Sequence, residues 1–119
     1  MSSSSSPPDY PNWLAVLAGT YYKKYLHISF YFPPSLSEME AQHRIQPIIN
    51  TADDWLKYAP NCWIVWTSDT PEQWYQKLAA DPELRNKCSI FVLKVDLSPA
   101  NRAGQLQQWA WDWLAKPRT

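Results

Sequence analysis

The chain of 119 residues has little glycine and no excess of charge of either sign. It contains only two glycines and neither a GxGxxG nor a GxxxxGK motif, which excludes a glycine-rich loop around a phosphate. Lys and Arg number 11, as do Asp and Glu, so the formal net charge is zero. A protein that holds nucleic acid mainly through the charge of its whole surface is therefore excluded, although a local basic patch is not.

The sequence is also poor in metal ligands and in long apolar runs. Its two cysteines, Cys62 and Cys88, lie far apart, and His27 and His43 add no ligand pair with zinc spacing. We therefore expect two free thiols in a reducing compartment, with no metal and no other cofactor. No stretch approaches the roughly 20 apolar residues that cross a bilayer. We predict a cytoplasmic protein without a signal peptide or a membrane contact.

What the chain does have is tryptophan, tyrosine and proline, with 8, 7 and 11 copies. Its length suits one domain with a real hydrophobic core. Residues 1–11 are rich in Ser and Pro and are predicted to be a disordered tail. Residues 12–22 predict a short helix or arm, which either packs on its own domain or binds another protein. Residues 23–119 are predicted to form the single domain.

Residues 25–32 alternate in a way that predicts a strand with two different faces. Leu26, Ile28, Phe30 and Phe32 share the face that belongs in a core. The other face carries Tyr25, His27, Ser29 and Tyr31, which suits a sheet surface that is half covered.

The rest of the pattern predicts three helices and three more strands. Capping boxes at Ser37 and Thr70 begin two helices, and Pro47 is expected to kink or split the first of them. Pro60 lies in the turn of a hairpin formed by residues 54–58 and 62–67. Residues 54–58 are alternatively the last turn of the preceding helix, because periodicity does not distinguish the two over five residues. A strand over 90–95 precedes a closing helix over 105–115, in which we expect Trp109 and Trp113 to be buried and Trp111 to be more exposed.

This order of elements predicts an α+β protein, a ferredoxin-like βαββαβ sandwich with an added C-terminal helix. In that arrangement the helices cover one face of the sheet and leave the other face open.

Two stretches of the chain resemble a known family. Residues 55–65 (WLKYAPNCWIV) are similar to the hairpin of SinR-like small bacterial proteins, which are related to the CRISPR adaptation endonuclease, the second Cas protein. Residues 103–106 (AGQL) and 109–114 (WAWDWL) resemble the closing helix of that family. The resemblance covers roughly residues 25–114. It implies a ferredoxin-like fold and a homodimer, and it suggests a defence or mobile-element setting.

The chain departs from the CRISPR adaptation family at the end of the first strand. An Asp there binds the catalytic metal in that family, whereas the matching position here is Tyr31 or a neighbour within 30–32, none of them acidic. A phenol does not replace a carboxylate as a ligand of Mg²⁺ at neutral pH. Asp96, which leaves another strand, is the weak candidate for a relocated carboxylate.

We therefore hold two hypotheses. The favoured one is a non-catalytic interaction protein, a homodimer that binds a protein or nucleic-acid partner. The alternative is a metal-dependent endonuclease of the CRISPR adaptation type that uses a relocated carboxylate. A platform for single-stranded nucleic acid would need basic residues between its aromatic ones, and this face of the first strand has none. We therefore favour an interface in which a second subunit covers this face. The residues predicted for this interface or platform are Tyr25, His27, Ser29, Tyr31, Trp63, Trp66 and Trp111.

Overall fold

The structure is a computed structural model that describes residues 22–118. The tail predicted over 1–11, and the helix or arm predicted over 12–22 apart from its last residue, lie outside this range. The described chain is a mixed α+β protein with a four-stranded antiparallel sheet and four α-helices. Its elements are β1 (Lys24–Tyr31), α1 (Glu38–Ile49), β2 (Asp54–Ala59), β3 (Cys62–Thr67), α2 (Pro71–Ala79), α3 (Pro82–Lys87), β4 (Ser89–Val95), a short 3₁₀ helix (Pro99–Asn101) and α4 (Gln108–Ala115).

The strands lie in the order β2-β3-β1-β4, and each neighbouring pair is antiparallel. The predicted hairpin is confirmed, since β2 and β3 meet at a turn containing Pro60 and Asn61. A register shift between Lys57 and Ala59 brings β2 into the turn. The first arm of the hairpin is thus a strand, not the end of a helix.

The two faces of the sheet carry two separate apolar clusters. The first face is the side of β1 that bears Leu26, Ile28 and Phe30, as predicted, and it packs against α1, α2 and α3 in the larger cluster. The second face is the side that bears Tyr25, His27, Ser29 and Tyr31. A smaller cluster there joins Leu56, Ile64 and Ala110. Because Ala110 belongs to α4, the closing helix lies on the face that was expected to be open.

The helix starts follow their capping residues. Thr70 accepts the backbone N–H of Gln73, and the Gln73 side chain accepts the Thr70 N–H, so this predicted capping box is complete. Ser37 likewise accepts the N–H of Glu40, but the Glu40 carboxylate turns to Arg44 instead of closing the box. Reciprocal capping therefore forms at only one of the two predicted sites.

Pro47 does not split α1. It lies in the last turn of the helix, which continues through Ile48 to Ile49. The cost of a proline is greatest in an unbroken helix interior. Its position close to the C-terminus explains why the helix tolerates it.

No helix within residues 22–118 is both long enough and apolar enough to cross a membrane.

Candidate functional site: the second face of the sheet

The second face is assembled from alternate residues of all four strands. Residues directly opposite one another in neighbouring antiparallel strands share a face. The register therefore places Trp66 and Val95 beside Tyr25, Ile64 and Leu93 beside His27, and Cys62 and Phe91 beside Ser29. Each row crosses the sheet from strand to strand, and the three rows follow one another along β1.

The row that contains Tyr25 is covered. Its ring lies 4.7 Å from that of Trp66 and 5.9 Å from that of Trp113 on α4, centroid to centroid. The guanidinium of Arg118 lies 4.0 Å from the Trp113 ring. Arg118 also donates to the Tyr25 hydroxyl at 3.1 Å and to Asp54 Oδ2 at 2.8 Å. These contacts attach the chain around α4 to the first residues of β1 and β2.

The Asp54 carboxylate is held ionised by its partners. Burial opposes its ionisation, but hydrogen bonds from the Arg118 side chain and from the backbone N–H of Trp55 outweigh that effect. The pKa of Asp54 therefore lies below its ordinary value of 3.8. The ionised form of Asp54 therefore stabilises the folded protein relative to the unfolded chain.

We expect Asp54→Asn to destabilise the protein at pH 7, and we expect this loss to shrink in acid. Because the folded pKa is depressed, the stability from Asp54 is fully present above the unfolded pKa of about 3.9 and is lost as the pH falls through the folded value. Urea unfolding of wild type and variant at pH 7 and below pH 4 measures the change. Asp112→Asn, at an exposed acid on α4 that accepts a hydrogen bond from Gln108, is the control. If Asp54→Asn lowered the free energy of unfolding by the same amount at both pH values, the proposed stabilisation by the ionised Asp54 would be contradicted.

The middle row is partly covered. Leu56 and Ile64 are buried with Ala110, and Leu114 and Leu97 pack at the edge of the same cluster. A cavity of about 210 Å³ adjoins this cluster, and Trp111 contributes to its wall.

The remaining part of the second face has no cover within residues 22–118, and we call it the open patch. Its seven members carry aromatic, apolar or small polar side chains without a formal charge at neutral pH: His27, Ser29, Tyr31, Tyr58, Cys62, Phe91 and Leu93. Tyr31 is 61% exposed and Phe91 is 62% exposed, so two large rings face outward.

His27 and Tyr58 form the polar centre of the open patch. Nε2 of His27 and the Tyr58 hydroxyl are hydrogen-bonded, with ring centroids 5.7 Å apart. Burial lowers the pKa of His27. Burial, followed by the neighbouring Cys62, raises the pKa of Tyr58 to about 12. Both shifts favour the neutral forms, which keeps the open patch uncharged near pH 7.

The predicted interface residues are divided by the structure. His27, Ser29 and Tyr31 lie together in the open patch. Tyr25 and Trp66 share the second face but lie under Trp113 and Arg118. Trp111 is half-buried at the cavity beside Leu56.

Trp63 does not belong to this surface. Its side chain is fully buried in the larger cluster on the first face. β3 is apolar on both faces, so its alternation alone could not show which tryptophan faces the helices.

The prediction for the closing helix was wrong at Trp109 and at Trp111, because Trp111 is less exposed than Trp109. The Trp109 side chain is 54% exposed, and Leu106 is also exposed, whereas Ala110 carries the buried contact of α4. Trp113 and Leu114 pack against the second face as expected.

Sequence reasoning missed Tyr58, Cys62, Phe91 and Leu93 as members of the site. Phe91 and Leu93 share one face of β4 because they are two residues apart in a strand. The pairing of β4 with β1, which no local pattern shows, is what brings that face beside Ser29 and His27.

The acidic residues at the strand ends, which include the candidate Asp96, are dispersed. Asp69 pairs with Lys77 at 2.8 Å and Asp54 pairs with Arg118 at the same distance. Asp96 is exposed, and its carboxylate accepts the N–H of Ser98 in the loop after β4. Within residues 22–118, no three His, Cys, Asp or Glu side chains gather into a group that could hold a metal ion.

Comparisons of the chain with protein-family models, with curated proteins and with solved structures found no match.

Proposed function

We propose that the chain is a non-catalytic interaction protein that forms a homodimer through the open patch. The observation that carries the proposal is the exposure of Tyr31 and Phe91 on a sheet surface without formal charge. Contiguous exposed apolar surface on a small protein usually marks a contact with another molecule.

The composition of the open patch supports a protein partner. Interface cores are enriched in aromatic residues and depleted of charged ones. The open patch contains three aromatic rings besides His27 and contains neither lysine nor arginine. A platform for single-stranded nucleic acid would combine its rings with basic residues that follow the phosphates.

A second copy of this chain suits the open patch for an electrostatic reason. In a two-fold dimer each surface meets an identical one, so a charged patch would be opposed by its own charge. The open patch avoids this repulsion because its side chains are neutral. Its hydrogen-bonding hydroxyls, on Ser29, Tyr31 and Tyr58, both donate and accept, so they can pair with their own copies.

We further propose that the fold is the ferredoxin-like sandwich that the resemblance to SinR-like proteins implies. Counted from the opposite edge, the strand order is β4-β1-β3-β2, with antiparallel neighbours throughout. α1 joins β1 to β2, and α2 with α3 joins β3 to β4. The burial of these helices in one cluster on the first face supports the split βαβ plan. α4 is then an addition on the second face.

We expect light scattering at tens of micromolar to give about twice the chain mass of 13.9 kDa. Phe91→Glu should shift the protein to a monomer without unfolding it, because Phe91 is exposed and the new charges would oppose each other across the two-fold axis. Met39→Glu is the matched control, since Met39 is exposed on α1, among the helices of the first face. It should remain a dimer.

Circular dichroism of both variants checks that they are folded. A wild-type monomer at this concentration would overturn the proposed homodimer. Dimers that persist equally in Phe91→Glu and Met39→Glu would place the contact away from the open patch.

A further inference from the structure

The cavity of about 210 Å³ on the second face lies between β2, β3 and the chain that follows β4. Leu56 and Ile64 contribute to its wall, and they share this face because they are opposite each other in the register of β2 and β3. Tyr58, two residues beyond Leu56, also lines the cavity, and its hydrogen bond to His27 shows that it reaches the same face. The strand side of the wall therefore converges on one space.

The other walls come from α4 and from the loop that precedes it. Leu114 and Leu97 pack against the smaller cluster, which places them on the same side of the sheet. Trp111 adds an indole ring. Residues 103–106, which are exposed, complete the wall. The cavity is thus lined mainly by aliphatic and aromatic side chains.

Arg102 is the one cationic residue among the described residues of the wall, which include no acid. Its guanidinium donates to the backbone carbonyl of Leu114 at 3.3 Å, which holds it on the same side of the sheet as α4. That bond uses one of five N–H groups. No carboxylate within residues 22–118 forms an ion pair with Arg102. Because buried charges are normally paired, this half-buried guanidinium favours an anionic ligand.

The charge and the size of the cavity limit the ligand. One cation without a neighbouring acid matches one negative charge, so a carboxylate suits it better than a phosphate dianion. An apolar cavity of about 150 Å³ is large enough for benzene, so about 210 Å³ accommodates a single ring with a small substituent. An aromatic ring would also gain from contact with the Trp111 indole.

We propose that this cavity binds a small carboxylate that carries one aromatic ring, of the benzoate class. The ring would lie against Leu56, Ile64 and Trp111, and the carboxylate would accept hydrogen bonds from the Arg102 guanidinium. This site is separate from the proposed dimer contact, although Tyr58 borders both.

Isothermal titration of the full chain at pH 7 and low salt tests the proposal with benzoate, benzamide and acetate. Benzamide keeps the ring without the charge, and acetate keeps the charge without the ring. We expect benzoate to bind at one site per chain and more tightly than either of the other two. Arg102→Gln should weaken benzoate binding about tenfold through the loss of a charge-assisted hydrogen bond, and it should leave the affinity for benzamide unchanged.

Arg85→Gln is the matched control. Arg85 also donates to a backbone carbonyl in the last turn of a helix, that of Ala79 at 3.0 Å, but it belongs to α3, among the helices of the first face. The benzoate affinity of this variant should equal that of wild type. Amide NMR spectra of the wild type locate the site without any variant. Benzoate should shift the signals of Leu56 and Ile64 and not that of Leu78, which is buried in the larger cluster.

The absence of saturable benzoate binding at millimolar concentration would overturn the proposal. Benzamide or acetate that binds as tightly as benzoate would overturn the ligand class, because the charge or the ring would then be dispensable. Equal weakening in Arg102→Gln and Arg85→Gln, or equal NMR shifts on the two faces, would overturn the location. None of these results depends on whether the open patch forms a dimer.

Discussion

Trp74→Ala is expected to destabilise the protein by about 3–5 kcal/mol, the range for truncation of a buried large aromatic side chain. Trp74 is fully buried between α2 and the first face. Its indole N–H donates to the Thr67 hydroxyl at 3.1 Å, and Thr67 is itself buried. The substitution therefore leaves a cavity and removes one of the two hydrogen bonds that the Thr67 hydroxyl accepts, the other coming from the backbone N–H of Asp69. Urea unfolding followed by circular dichroism measures the loss.

Trp109→Ala is the matched control, because it makes the same chemical change at an exposed position on α4. It should alter the free energy of unfolding by no more than about 0.5 kcal/mol. Trp74→Phe keeps most of the buried ring, so it provides a measurable variant if Trp74→Ala does not fold. Similar losses for Trp74→Ala and Trp109→Ala would show that the orientation of α4 described above is wrong.

Arg118→Ala is expected to cost about 2–3 kcal/mol, as removal of a hydrogen bond between charged groups does. The Arg118 side chain is only 6% exposed. Besides Asp54 and Tyr25, it binds the carbonyl of Trp113 at 2.9 Å. Its removal would leave Asp54 without its closest cation and would weaken the attachment of α4 to the second face. Thermal and urea unfolding measure the effect.

Arg118→Lys should recover only part of this loss. A lysine keeps the charge, but its ammonium cannot reproduce the planar fork that reaches Asp54, Tyr25 and Trp113 together. A stability of Arg118→Ala within about 0.5 kcal/mol of wild type would contradict the anchoring role.

The local elements were largely predictable because their signals are local. The capping residue Thr70 and the turn at Pro60 each fix an element from a few neighbouring side chains. The alternation of β1 correctly separated its core face from the face of Tyr25 and Tyr31. The position of Pro47 near the end of α1 was harder to predict, because helix ends are weakly marked.

The side of the sheet that α4 occupies could not be predicted. Trp109, Ala110, Trp111, Trp113 and Leu114 make this helix apolar almost all round, so periodicity does not select one face. The small side chain of Ala110 allows the close approach to Ile64, and Arg118, which lies beyond the helix, supplies the anchor. Both contacts depend on residues far away in the sequence.

The open patch depends on the same kind of long-range information. The pairing of β4 with β1 brings Phe91 beside Ser29. The full open patch is therefore not visible in any single stretch of sequence.

The division of the apolar residues into two clusters implies two levels of protection against hydrogen exchange. β1 and β3 are hydrogen-bonded to strands on both sides and carry the larger cluster, so their amide protons exchange only when the whole domain unfolds. α4 rests on the smaller cluster and on the contacts of Arg118, so its amides can exchange through a local opening that leaves the sheet intact. Such an opening would briefly extend the open patch towards Ile64 and Tyr25.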